Sequence, residues 1–121
     1  MLIDDAREVR ESVADLIRSR GHEIVGEADD GARGVQEVLA HRPDLVIIDW
    51  RMPGMNGVDA TREIRASYPS PAIVAFCSTD TPELRHAFLT AGADAFVHKR
   101  DVRGLIATVL AIAESRTNTA E

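Results

Sequence analysis

The sequence predicts a doubly wound α/β sandwich built on a five-stranded parallel sheet. Short apolar runs rich in β-branched residues alternate with longer segments of helical period, and this alternation occurs five times along the chain. A length of 121 residues suits a single domain and is enough to bury a hydrophobic core without disulfides. Right-handed crossovers then place helices on both faces of the sheet.

The strand signals differ in strength. Residues 45–48 and 72–76 are continuous apolar runs, which is typical of strands that are buried on both faces. Weaker runs at 24–26 and 95–97 predict two more strands, and residues 1–3 predict a short first strand.

The helix boundaries carry their own signals. The fourth helix is the best defined, since Thr81 is a candidate N-cap, Pro82 stands at the first helical position and Gly92 ends the helix. The fifth runs from about Asp101, another candidate N-cap, to Ala113. This predicts a domain over residues 1–114 and a polar, disordered tail over 115–121. The other helices are expected to end at Gly21, before Pro43 and near Tyr68.

Composition excludes several functions. The formal net charge of −6 disfavours contact with nucleic-acid phosphates and with anionic membranes. A single cysteine, Cys77, allows neither an internal disulfide nor a cysteine-built metal site. No apolar run approaches the roughly 20 residues that span a bilayer, and the N-terminus has no signal-peptide pattern. We therefore expect a cytoplasmic protein.

Charged residues follow three of the predicted strands. Asp4 and Asp5 come directly after the first strand, Asp49 after the third and Lys99 after the fifth. In doubly wound sheets, ligands lie beyond the carboxyl ends of the strands. Two carboxylates about 5 Å apart repel by roughly 3 kcal/mol at an effective dielectric near 20, so three together call for a cation. Each aspartate taken alone fits a helix cap or turn, but the set predicts a Mg²⁺ site.

The pattern resembles the receiver domain of two-component response regulators. The resemblance extends from Met1 to about Ala113. The matching residues are the acidic pair, the segment 45–57 (LVIIDWRMPGMNG), the segment 91–94 (AGAD) and Lys99. Residues 26–28 (GEA) are similar to the subfamily whose longer members carry a helix-turn-helix output domain, which we do not expect in this chain. The resemblance implies a flavodoxin-like (βα)5 fold with strand order 2-1-3-4-5.

The resemblance also implies a role for each site residue. Asp49 would accept a phosphoryl group from a histidine kinase, a phosphotransfer protein or a small phosphodonor. Asp5 would bind Mg²⁺ directly and Asp4 through water, with Asp49 and the backbone carbonyl of Arg51 completing the ligands. Lys99 would pair with the phosphoryl group. Such a domain is a signalling module, which catalyses only its own phosphoryl transfer and dephosphorylation.

The sequence departs from the family where the phosphoryl group is sensed. The family places Ser or Thr at the end of strand four, whereas here Cys77 stands there, followed by Ser78. A thiol is a weak hydrogen-bond donor, so either Ser78 substitutes or the switch is weakened. Phe96 matches the switch aromatic but has no phenol. The alternative is therefore a pseudo-receiver, a constitutive protein-binding module with the same fold.

Two other functions fit less well. A Mg²⁺-dependent phosphatase with an aspartate nucleophile usually carries a second aspartate two residues later, where this chain has Arg51. A flavodoxin-type electron carrier needs a hydroxyl-rich phosphate loop after the first strand, which is missing here.

The fifth helix suggests how a signal would leave the domain. Residues 104–113 contain no charged side chain, whereas a surface helix normally carries charges on its outer face. We expect a protein contact through helix four, strand five and helix five, made by a homodimer or an effector.

Overall fold

The computed structural model describes residues 1–119, with side chains described as far as Arg116. Five strands alternate with five helices, as the sequence predicts. The strands are β1 (Leu2–Ile3), β2 (Glu27–Ala28), β3 (Leu45–Ile48), β4 (Ala72–Cys77) and β5 (Ala95–His98). The helices are α1 (Arg7–Arg18), α2 (Gly31–His41), α3 (Gly57–Ser67), α4 (Pro82–Ala91) and α5 (Val102–Thr119).

All strand pairs are parallel, in the order β2-β1-β3-β4-β5. This confirms the predicted fold class and strand order. β1 lies between β2 and β3, with Ile3 paired to Ile48. The N–H of Asp49 donates to the carbonyl of Ile3 at 2.9 Å. The residues that follow β1 and β3 therefore emerge side by side at the carboxyl edge of the sheet.

The sheet divides the core into two clusters, because successive strand residues face opposite sides. Ile3 and Ile48 face the larger cluster, which includes buried side chains of α2, α3 and α4. Leu2 and Ile47 face the smaller one, which includes buried side chains of α1 and α5. Helices thus cover both faces, as parallel sheets require.

The predicted helix caps are confirmed. The Thr81 hydroxyl accepts the N–H of Leu84 at 3.1 Å, and Gly92 ends α4 with φ +115°. The Asp101 carboxylate accepts the N–H of Gly104 at 2.9 Å at the start of α5.

The second strand lies later than predicted. It forms at Glu27–Ala28, so the prediction at 24–26 is wrong in its bounds. Gly26 takes part only through its carbonyl, which accepts the N–H of Leu2 at 3.1 Å, while Val25 is exposed. The partner strand β1 is short and determines which residues can pair, and local hydrophobicity does not reveal that register.

Two helix ends also differ from expectation. α1 ends at Arg18, and Gly21 (φ +85°) lies in the turn beyond it. α5 continues to Thr119 instead of ending near Ala113, since no Gly or Pro interrupts it. The guanidinium of Arg116 also donates to the carbonyl of Ser70 at 2.6 Å. Residues 115–119, which the sequence analysis assigned to the tail, thus continue α5, and disorder of the tail stays a prediction. Residues 120 and 121 lie outside the described part, and a domain boundary at 114 stays a prediction.

Within residues 1–119, every helix is too short or too polar to cross a membrane.

Candidate metal and phosphoacceptor site

Three carboxylates converge at the carboxyl edge of the sheet. Asp4, Asp5 and Asp49 each offer an oxygen, and these oxygens lie within 4.8 Å of one another. Asp4 and Asp49 are only 5% and 7% exposed, whereas Asp5 is open to solvent. The adjacency of β1 and β3 produces this cluster, as the sequence predicted from the strand ends.

Lys99 reaches the same cluster from the end of β5. Its ammonium Nζ lies 2.9 Å from Asp4 Oδ2 and 3.2 Å from Asp49 Oδ2. The backbone N–H of Lys99 donates to the carbonyl of Cys77 at 2.8 Å. This bond fixes the backbone of Lys99 beside the last residue of the neighbouring strand β4. The structure thus brings together the four charged residues that the sequence placed at this edge.

The surroundings of Asp49 disfavour the charged form of its carboxylate. Burial and the nearby charge of Asp4 raise its pKa, while Lys99 and the N–H of Trp50 (2.8 Å) lower it less. Burial lowers the pKa of Lys99, but its bond to Asp4 and the charge of Asp49 outweigh this, so that pKa is raised overall. Three carboxylates against one ammonium leave an excess of negative charge, and the hard oxygen donors fit Mg²⁺.

A tight loop follows Asp49. The N–H of Gly57 donates to the carbonyl of Trp50 at 2.8 Å, and a Cβ at position 57 would lie 1.9 Å from the carbonyl oxygen of Asp49. Only glycine permits that approach. Arg51 is exposed, with its guanidinium over the Trp50 ring at 5.1 Å from the ring centre. A ligand role for the Arg51 carbonyl stays a prediction.

The three predicted switch residues lie close to this edge in different environments. Cys77 ends β4 and is 1% exposed, and burial together with the charge of Asp49 raises the pKa of its thiol to about 12. Ser78, the next residue, is exposed. Phe96 is half-buried and packs edge-on against Phe88 with ring centres 5.8 Å apart. Their switch roles stay predictions.

Sequence reasoning missed two arginines near the site. Arg10 of α1 donates to the backbone carbonyl of Asp4 at 2.6 Å and to Glu27 at 3.1 Å. Arg85 of α4 lies over the Phe96 ring at 4.7 Å and forms two hydrogen bonds to Asp80, at 2.6 and 2.8 Å. A lone arginine on an amphipathic helix is ordinarily solvated, so no local signal marked either one.

A doubly wound parallel sheet with an acidic cluster and a lysine at its carboxyl edge is the arrangement predicted above for a phosphoryl-accepting signalling domain. Comparison with known proteins specifies the class further. Residues 1–110 match the response regulator receiver domain family. The chain belongs to this family, which confirms the predicted resemblance.

Among the proteins that are similar to this chain are two longer ones. The chain is 37% identical to the transcriptional regulatory protein PdtaR of Mycobacterium tuberculosis over an alignment of 124 positions, which covers 99% of this chain and 59% of that protein. It is 38% identical over 80 residues to a protein-glutamate methylesterase/protein-glutamine glutaminase of Haloarcula marismortui, covering 66% of this chain and 22% of that protein. The chain thus spans less than two thirds of either relative.

A solved structure has the same fold throughout. The signal receiver domain of the putative response regulator NarL from Mycobacterium tuberculosis superposes with a TM-score of 0.85 at 34% identity, covering 93% of each chain.

Proposed function

We propose that Asp49 accepts a phosphoryl group from the phosphohistidine of a kinase or phosphotransfer protein, in a Mg²⁺-dependent reaction. A carboxylate oxygen of Asp49 forms the new P–O bond, the P–N bond of the donor breaks, and the leaving imidazole nitrogen keeps the electron pair and takes up a proton. The supporting observation is the buried Asp49 carboxylate, which lies beside two further carboxylates and 3.2 Å from Lys99.

Asp4, Asp5, Asp49 and the backbone carbonyl of Arg51 would hold the metal ion. When bound, Mg²⁺ neutralises negative charge on the phosphoryl oxygens. The excess negative charge of the cluster and its hard oxygen donors support this part of the proposal.

Lys99 would pair with a phosphoryl oxygen after transfer. Its ammonium already lies within hydrogen-bond distance of the accepting carboxylate, so a short movement suffices. Phosphoryl transfer needs positioning and charge neutralisation more than covalent machinery, and this site supplies both. The same constellation would support hydrolysis of the acyl phosphate by water.

The response to phosphorylation would be weaker than that of a hydroxyl-based switch. The Cys77 thiol is a poor donor, and Ser78 is exposed at the following position. We expect Cys77→Thr to raise the level of acyl phosphate reached with a small phosphodonor. Phe96 would follow the switch residue of β4 by a change of rotamer.

The signal would leave through protein contacts on the face formed by α4, β5 and α5. Leu89 of α4 is 52% exposed and Leu110 of α5 is 44% exposed, and residues 104–113 carry no charge. We propose a second copy of the chain or an effector protein as the partner, and no direct nucleic-acid contact from this chain. As part of the proposal, the chain acts in the cytoplasm.

The test is incubation with acetyl phosphate and Mg²⁺, followed by intact-mass measurement. We expect a gain of one phosphoryl group, which is lost with Asp49→Asn or with EDTA and retained in Asp15→Asn. Asp15 is an exposed carboxylate of α1 and serves as the matched control. If neither acetyl phosphate nor a histidine kinase phosphorylates the wild type, the chain is a pseudo-receiver that binds its partner constitutively.

A further inference from the structure

We propose that Arg10 is a positioning residue for the metal site, holding the Asp4–Asp5 peptide so that the Asp5 carboxylate faces the ion. This inference rests on the proposed function, because it takes Mg²⁺ to bind at the acidic cluster. It assigns a task to a side chain that itself touches neither metal nor phosphoryl group.

The loop that carries the acidic pair has no side-chain cap at the start of α1. The residue before α1 is Ala6, whose side chain accepts no cap hydrogen bond. The N–H of Ala6 is instead accepted by Asp4 Oδ1 at 2.9 Å, and Asp4 Oδ2 is bound to Lys99. Both carboxylate oxygens of Asp4 therefore have local partners, while Asp5 projects from the loop as an exposed residue.

Arg10 joins this loop to the neighbouring strand. Its Nη1 donates to the carbonyl oxygen of Asp4 at 2.6 Å, and its Nε donates to Glu27 Oε1 at 3.1 Å. The side chain of Arg10 is only 16% exposed. The planar guanidinium thus spans from the β1–α1 loop to β2, with its fork of donors shared between the two.

The carbonyl that Arg10 holds belongs to the peptide between Asp4 and Asp5. A peptide unit is planar, so fixing its carbonyl also fixes the N–H of Asp5 and the direction in which the Asp5 chain leaves. The N–H of Asp4 donates to the carbonyl of Ala28 at 3.0 Å, which fixes the preceding peptide. Together these bonds fix the backbone from which the Asp5 side chain projects, and an Asp5 carboxylate oxygen lies within 4.8 Å of oxygens of Asp4 and Asp49.

A positioning role and simple electrostatics predict opposite changes in Mg²⁺ affinity when Arg10 is replaced. A guanidinium repels a nearby cation, so removing its charge would by itself tighten Mg²⁺ binding. Removing the support instead frees the Asp4–Asp5 peptide and weakens binding. Groups that orient metal ligands typically contribute about 10–100-fold to metal affinity, and this bond acts on only one ligand.

The experiment is a Mg²⁺ titration of the full chain, followed by the fluorescence of its single tryptophan, Trp50, and by calorimetry. Trp50 is next to Asp49 and its N–H is bound to that carboxylate. We expect Arg10→Gln to raise the Kd on the order of tenfold. Arg10→Lys, which keeps the charge without the fork, should weaken binding less, and Glu27→Gln should also raise the Kd.

Arg7→Gln is the matched control. Arg7 lies on the same helix and loses the same charge, but its side chain is 81% exposed and is bound to Glu11. We expect its Kd to stay at the wild-type value or to fall slightly. Thermal unfolding in EDTA checks that each variant is folded, and Arg10→Lys, which keeps the charge, carries the test if Arg10→Gln does not fold.

The outcomes separate this inference from the proposed function. If the wild type binds Mg²⁺ and Arg10→Gln binds as tightly as Arg7→Gln, the positioning role is wrong and the metal site stands. If the wild type gives no saturable signal by either method, the metal site itself is wrong, and the role of Arg10 with it.

Discussion

Replacing Lys99 by methionine removes the charge that Asp4 and Asp49 share while keeping most of the side-chain length. The ammonium lies 2.9 and 3.2 Å from the two carboxylates, so each attraction is about 5–6 kcal/mol at an effective dielectric near 20. The carboxylate oxygens lie within 4.8 Å of each other, and at that separation they repel by about 3 kcal/mol. Burial of the ammonium costs several kcal/mol in the opposite direction.

The balance predicts a large loss of stability. Removing one partner of a buried ion pair typically costs about 3–5 kcal/mol, out of a total near 5–15 kcal/mol for a domain. The pKa of Lys99 is raised above 10.5, so its charge stabilises the fold fully at pH 7, and this is lost only as pH rises through the folded-state pKa. We expect Lys99→Met to lower the free energy of unfolding at pH 7 by about 3–5 kcal/mol.

Urea unfolding in EDTA measures this loss, with Asp49→Asn and the double variant as controls. The double variant should recover much of the stability, because the repulsion between Asp4 and Asp49 is gone. Added Mg²⁺ should stabilise Lys99→Met by binding the folded state. A Lys99→Met protein within about 1 kcal/mol of the wild type in EDTA would show that Lys99 does not stabilise the buried carboxylates.

Three further predictions use the same structure. Because burial and Asp4 raise the pKa of Asp49 above 3.8, its ionisation costs stability as pH rises from that value through the folded-state pKa. In EDTA, the stability of Asp49→Asn relative to that of the wild type should therefore increase as pH rises over this interval. Urea midpoints of the two proteins that change in parallel with pH would contradict this. The Cys77 thiol, with its pKa raised to about 12 and 1% exposure, should not react with Ellman's reagent at pH 8 until the protein unfolds; prompt labelling of the native protein would show the burial to be wrong. Gly57→Ala places a Cβ 1.9 Å from a backbone oxygen and should cost about 3 kcal/mol in thermal or urea unfolding. Gly54→Ala, at φ +70° with no atom within 4 Å of its Cβ, should cost about 1 kcal/mol, and equal losses would contradict the steric argument.

The convergence of the acidic residues was predictable because it depends on topology alone. Parallel strands end at one edge of the sheet, so an aspartate after β1 and another after β3 must meet once those strands are neighbours. The same rule places Lys99, which follows β5, at this edge of the sheet. Only β4 lies between β3 and β5, and a lysine side chain is long enough to reach across the end of β4 to Asp49.

What the sequence could not provide depends on register and on long side chains. The position of β2 is set by its pairing with the two residues of β1, and Ile24 and Val25 gave a misleading apolar signal three residues earlier. The contact of Arg10 with Glu27 exists only in that register, 17 residues apart in the chain. Local patterns contain no information on such pairs.

The division of the interior by the sheet has a practical consequence for protein engineering. Ile48 packs under α3 and α4, whereas the adjacent Ile47 packs toward α1 and α5, so one strand serves two separate hydrophobic layers. Substitutions in different layers share few neighbours, and their effects on folding free energy should sum. The α1–α5 layer can therefore be redesigned as a unit while the opposite layer, which supports Phe96 and Cys77, retains its native packing.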